Sequence, residues 1–129
     1  MSCGIVFMNE EENQIKRVAQ KTDWETQPMP EIATKLEYNR VFTKEQIAFL
    51  TKGHIPKDMD DRWFWFYEED KLYIHRSWTG ICVYIIEFNT DTNIHKVMVN
   101  LNPEEYPDIE SEIKNLDFLF DRWLHMFLS

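Results

Sequence analysis

Glycine is nearly missing from this chain: its 129 residues include three. Neither GxGxxG nor GxxxxGK followed by Ser or Thr occurs, so the two commonest phosphate-cradling loops are absent. Cysteine is almost as scarce. Cys3 and Cys82 suggest no disulfide framework, and a reducing, cytoplasmic compartment is the expected setting. None of the four histidines, His54, His75, His95 and His125, pairs with another His or Cys at ligand spacing, and HExxH does not occur. Neither a metal nor a cofactor is therefore expected. No apolar run approaches the roughly 20 residues a membrane span needs. The opening MSCGIVFMNEEEN lacks the basic start and long apolar core of a signal peptide. Basic residues are outnumbered, 14 against 23, giving a formal net charge of −9. That balance repels the nucleic-acid backbone and anionic lipid, so neither DNA, RNA nor a membrane is an expected partner. A small anionic ligand stays open, because the field inside a pocket can differ in sign from the net charge.

What is present is apolar and aromatic: 43% hydrophobic and 15% Phe, Trp and Tyr. This is enough for one packed domain over residues 1–129. Residues 1–40 read as an irregular, partly mobile lead-in. Within it GIVFM suits a short strand, Glu10–Lys21 has helix-favouring composition, and Pro28 and Pro30 interrupt regular structure. KLEYNRVF fits either a strand or an extended lead-in. TKEQIAFLTKG is clearer: Thr43 and Gln46 form a capping box, and Gly53 closes a helix over Lys44–Lys52. Four strands follow, Arg62–Tyr67, Leu72–Trp78, Ile81–Phe88 and His95–Leu101, joined by tight turns as an antiparallel meander. From Asp108 to Leu128, Ile109, Ile113, Leu116, Leu119, Phe120, Trp123, Leu124 and Phe127 recur at helical spacing. The expected fold is α+β: a four-stranded antiparallel meander, a short helix before it, and a long C-terminal helix packed on one face.

Polar residues that carry chemistry converge on two stretches. In KDMDDRWFWF, Asp58, Asp60 and Asp61 precede Arg62. Such carboxylates either hold a ribose hydroxyl or act as acid and base, or they form a solvated loop that ties down Arg62. Most aromatics of Trp63–Tyr67 are core, while Tyr67 and Tyr84 suit a rim where a flat base stacks. In YIHRSWTGICVY, His75, Ser77 and Thr79 offer hydrogen bonds, Trp78 a flat wall, and Gly80 a close backbone approach. Simple alternation places Arg76 with Leu72, Ile74 and Trp78, on the face opposite His75 and Ser77, and puts Cys82 on the same face as Tyr84. An arginine among apolar neighbours needs an anion, either Asp60 or Asp61 or a ligand phosphate. Cys82 and His75, on neighbouring strands, raise a Cys–His nucleophile. Cys82 between Ile81 and Val83 reads better as a small buried apolar side chain, so no catalytic residue is assigned.

The stretch Lys57–Phe88 resembles a small, poorly characterised family with the pattern K-D-M-D-D-(R/K)-W-F, a turn, then L-Y-x-H-R-S-W-T-G-x-C-x-Y. Some of its members are attached to ADP-ribose-processing proteins of the ADP-ribosylglycohydrolase and macro types. The resemblance covers about a quarter of the chain and implies work near ADP-ribose or a related nucleotide. The expected ligand-binding set is Asp60, Arg62, Trp63, His75, Arg76, Ser77, Trp78, Thr79 and Tyr84. The function expected is binding and sequestration of an ADP-ribose-like or cyclic signalling nucleotide, an anti-defence role of the kind small viral proteins play against host immune signalling. The alternatives are a protein–protein inhibitor or immunity-type module, for which the acidic surface speaks, and an ADP-ribose-processing enzyme. Aromatics on both strand faces also suit a homodimer that buries one sheet face.

Overall fold

The computed structural model describes residues 18–101 and 108–128. The GIVFM segment, Cys3 and most of Glu10–Lys21 lie outside them. A single 3-10 turn, Lys21–Asp23, precedes the sheet. Five strands follow, where the meander alone supplies four: β1 (Thr34–Asn39), β2 (Trp63–Glu68), β3 (Lys71–Arg76), β4 (Cys82–Glu87) and β5 (Ile94–Val99). Two helices frame them, α1 (Lys44–Lys52) and α2 (Ile109–Leu128). The strand order is β1-β5-β4-β3-β2, antiparallel throughout.

The additional strand corrects the expectation of a four-stranded sheet and of an irregular lead-in up to residue 40. Its physical basis is alternation: Thr34, Leu36 and Tyr38 are buried, while Lys35, Glu37 and Asn39 are exposed. Charged residues on every second position suit an edge strand, because they discourage further pairing. Tyr38 and Arg40 then fasten this edge to α2. The Tyr38 hydroxyl donates to Asp117, and Arg40 meets Asp121 at 2.8 Å and Asp117 at 3.4 Å. Fully buried His95 completes the corner. Its Nδ1 accepts from the Asn89 amide (2.9 Å) and its Nε2–H donates to the Arg40 carbonyl (2.7 Å). Only the neutral ring can make both bonds.

Helix α1 begins where expected. Thr43 accepts from the Gln46 amide and Gln46 caps back onto Thr43. Gly53 ends it with a φ of 82°. A Cβ there would lie 2.5 Å from the Ala19 Cβ and 2.6 Å from the Trp65 carbonyl, so no larger residue fits. Helix α2 lays Leu116, Leu119, Phe120, Trp123 and Leu124 over one sheet face. There they meet Leu36, Tyr38, Trp65, Leu72, Ile74, Tyr84, Ile86, Val97 and Val99. Each such large apolar side chain contributes about 1.5–3 kcal/mol on burial. A smaller cluster forms where Ala19 and Trp24 cover Phe64 and Phe66 at the β2 end of the opposite face.

The β3–β4 pairing carries a bulge. Ile74 faces Tyr84, but His75 faces Cys82, so the ladder skips Val83. Cross-strand partners share a face, so Cys82 goes with His75 rather than with Tyr84 as strict alternation would have it. The β2–β3 turn is less comfortable. Glu69 and Asp70 both adopt positive φ, 51° and 66°, between Glu68 and Lys71, which pair directly. A two-residue turn with two positive φ angles is the mirror-image type that favours Asn-Gly. Replacing Glu69 with Asn and Asp70 with Gly should therefore raise stability by about 1 kcal/mol. The check is a higher urea midpoint with an unchanged slope.

Candidate functional site

The two polar stretches meet at one end of the sheet, beside β2 and β3. The Ser77 amide donates to the Arg62 carbonyl (2.8 Å) and its hydroxyl to the Asp61 carbonyl (2.9 Å). Trp78 donates from its indole to the Met59 carbonyl (2.9 Å). The segment before β1 is held by the same turn: Trp24 donates to the Ser77 carbonyl, the Gln27 side chain to the Thr79 carbonyl and the Gln27 amide to the Gly80 carbonyl. A Cβ on Gly80 would stand 2.5 Å from the Glu25 carbonyl oxygen, which is the close approach its glycine permits.

These bonds divide the expected ligand-binding residues. Ser77 is buried with its groups used internally. His75 is buried between the Phe64 and Phe66 rings, with Nδ1–H donating to the Gly80 carbonyl (3.0 Å) and Nε2 without a partner. Tyr84, expected at a rim, is fully buried; its hydroxyl donates to Glu112 and accepts from Asn115. Alternation assigns a face but not a cover, and α2 covers Tyr84. Asp60, Arg62, Trp78 and Thr79 are exposed, and Trp63 and Arg76 half-buried. Strand β3 ends at Arg76, so Trp78 does not continue its face. Trp78 instead carries the Arg62 guanidinium 5.3 Å over its ring.

Arg76 has neither of the expected aspartates. Asp61 is occupied by His54 Nε2 (2.6 Å) and the Lys57 amide (3.2 Å), and Asp58 accepts from the amides of Asp60 and Asp61. The Arg76 guanidinium lies 4.9 Å over the Trp63 ring. A cation–π contact of this kind is worth about 0.5–2 kcal/mol and leaves the charge without an anion.

On the α2 side of this corner lies a groove of about 560 Å³. One wall is Lys57, Asp58, Asp60, Asp61, Arg62 and Trp63; the other is Phe118, Leu119, Arg122, Trp123 and Met126 of α2. Phe118 and Met126 are 59% and 56% exposed, large apolar side chains that the core does not use. Ion pairs among the described residues engage Arg40, His54 and Lys114. Lys57, Arg62, Arg76 and Arg122 take part in none. Sequence reasoning missed the α2 wall; the outward Phe118-Arg122-Met126 stripe was its only signal. A second cleft, between Asp23–Gln27 and Ser77–Gly80, is lined by Asp23 and Glu25 and by no cation. An anion is therefore better placed in the groove.

Burial pushes the Cys82 thiol up to about 12, so it stays protonated. No group of three or more His, Cys, Asp or Glu suited to a metal occurs among the described residues. No helix among them is long and apolar enough to cross a membrane. Comparison with family models, curated proteins and solved structures returns no match. The functional reading therefore rests on the groove itself.

Burial lowers the proton affinity of both His75 and His95 below the usual 6.5, against the raising effect of their backbone hydrogen bonds. The unfolded chain thus takes up these protons first as pH falls. Their contribution is full above about pH 6.5 and is lost as pH drops below that value. Urea unfolding at about pH 7.5 and about pH 5.5 should show lower stability at the acid end. His75→Asn, which keeps a donor for Gly80 but does not titrate, should reduce that difference.

Proposed function

We propose that this protein binds a small anionic nucleotide of the ADP-ribose or cyclic-nucleotide type in the groove between Lys57–Trp63 and α2, and holds it without turnover. One observation carries the reading. In a chain of net charge −9, Lys57, Arg62 and Arg122, in no ion pair among the described residues, line one aromatic-walled groove beside Asp58, Asp60 and Asp61, and Arg76 lies 4.9 Å over the ring of its Trp63. Arginine forks suit phosphate oxygens. The exposed Phe118 and half-buried Trp63 offer ring surface for a base, and exposed Asp60 offers a carboxylate to a ribose hydroxyl. Buried His75 and protonated Cys82 are poor participants in catalysis, which favours sequestration over processing. Removing a signalling nucleotide from solution is how such a protein would blunt a host immune response.

The test is incubation with ADP-ribose, cyclic ADP-ribose isomers, NAD and cyclic dinucleotides, followed by melting-temperature measurement and by chromatography before and after denaturation. The expected result is a raised melting temperature with one ligand class and its recovery intact. Arg122→Ala, on the exposed side of α2, and Arg76→Ala should each weaken binding about tenfold or more with the fold retained. Altered products would replace sequestration with catalysis. No shift with any nucleotide, or full affinity in Arg122→Ala, would overturn the reading.

A further inference from the structure

Among the described residues nothing covers the sheet face opposite α2 across β1, β5, β4 and β3, and its side chains form two rows. The cross-strand register aligns Glu37 with Lys96 and Lys96 with Glu87. The Leu72–Ile86 pair brings Lys71 beside Glu87. The first row therefore alternates in sign across four strands: Glu37, Lys96, Glu87, Lys71. All four are exposed, and none belongs to an ion pair among the described residues. The second row, Lys35, Met98, Ile85 and Tyr73, is apolar except at β1. Its last three members are half-buried and floor a shallow depression of about 640 Å³.

This pattern is self-complementary. A two-fold axis parallel to the strands, passing between β4 and β5, would lay β1 of one copy over β3 of the other and β5 over β4. Glu37 then meets Lys71 of the second copy and Lys96 meets its Glu87, each twice by symmetry. In the next row Met98 meets Ile85, also twice. Centring the axis on β4 instead would set Glu87 on itself and Lys96 on Lys71 of the second copy. The shape agrees with the charge. The raised corner where Ala19 and Trp24 cover Phe64 and Phe66 sits over β2, which this arrangement places beyond the partner's β1 edge.

We infer that the open face is the contact between two copies of this chain, packed sheet on sheet about that axis. Aligned sheet packing with strands about 30° apart is one of the two common modes. Four strands about 4.8 Å apart and about 20 Å long give roughly 400 Å² of plan area per copy, the range of reversible contacts. In such contacts the charges set orientation and partner more than raw affinity.

Sedimentation analysis of the full chain from micromolar to several hundred micromolar, at low salt, tests this. The wild type should dimerise reversibly, and more weakly in high salt. Lys71→Glu alone and Glu37→Lys alone each bring like charges together at both ends of the interface and should raise the dimer Kd at least tenfold. An equimolar mixture of the two variants restores opposite charges at both ends and should dimerise like wild type. A folding defect cannot be rescued by mixing, so recovery would report the interface itself. A wild type that stays monomeric throughout, or a mixture no more dimeric than its components, overturns the inference and leaves the ladder as a device of the single sheet.

Discussion

The contact on which the rest of the structure depends is the stack of Trp65 on Trp123, with ring centroids 4.2 Å apart. Trp65 is fully buried and touches every layer. Its indole donates to the Leu50 carbonyl and so secures the end of α1. His54 stacks on it and pairs with its backbone, extending the β2 edge by one bridge. Trp123 in turn packs edge-on to Trp63 and Phe120. Aromatic pairs in these geometries add roughly 0.5–1.5 kcal/mol beyond their area. The larger consequence is positional. Fixing Trp123 over Trp65 fixes the rotation of α2, and the rotation of α2 decides which side chains face the Lys57–Trp63 loop.

That dependence explains how the groove arises from chemistry that is otherwise unremarkable. Leu119 and Trp123 face the core, while Phe118, Arg122 and Met126 follow one another at four-residue intervals on the adjoining outward stripe. A stripe of this kind on a lone helix would be ordinary surface. Set against the Lys57–Trp63 loop, it becomes a wall. Asp58 accepts the amides of Asp60 and Asp61 on its Oδ1, and Asp61 spends one oxygen on His54. The loop is thus acidic by composition, yet it leaves its cations without partners.

Much of this was legible beforehand and some was not, for physical reasons. Helix α1 was readable because the Thr43–Gln46 box and Gly53 are local signals, and α2 because its apolar spacing repeats over five turns. The meander followed from aromatic runs and short turns. Strand β1 stayed ambiguous because its partner, β5, lies some sixty residues away and its outward positions are charged. The bulge at Val83 was invisible, since an inserted residue leaves no mark in an apolar run. Burial of His75, Ser77 and Tyr84 depended on what covers each face. Polarity at those positions serves hydrogen bonds to Gly80, Asp61, Glu112 and Asn115. The groove joins residues about sixty positions apart, beyond the reach of any local pattern.

The two surfaces with unspent charge lie on opposite sides of the sheet, and their logic differs. Around the groove, Lys57, Arg62 and Arg122 stand among Asp58, Asp60 and Asp61 without ion-pairing to them. On the open face, charges alternate so that neighbours attract, which costs nothing in the single sheet and becomes directional only when a second surface arrives. An anion would find little there, because every lysine of the first row stands beside a glutamate. A second copy would find little at the groove, where aspartates and cations intermix without alternation.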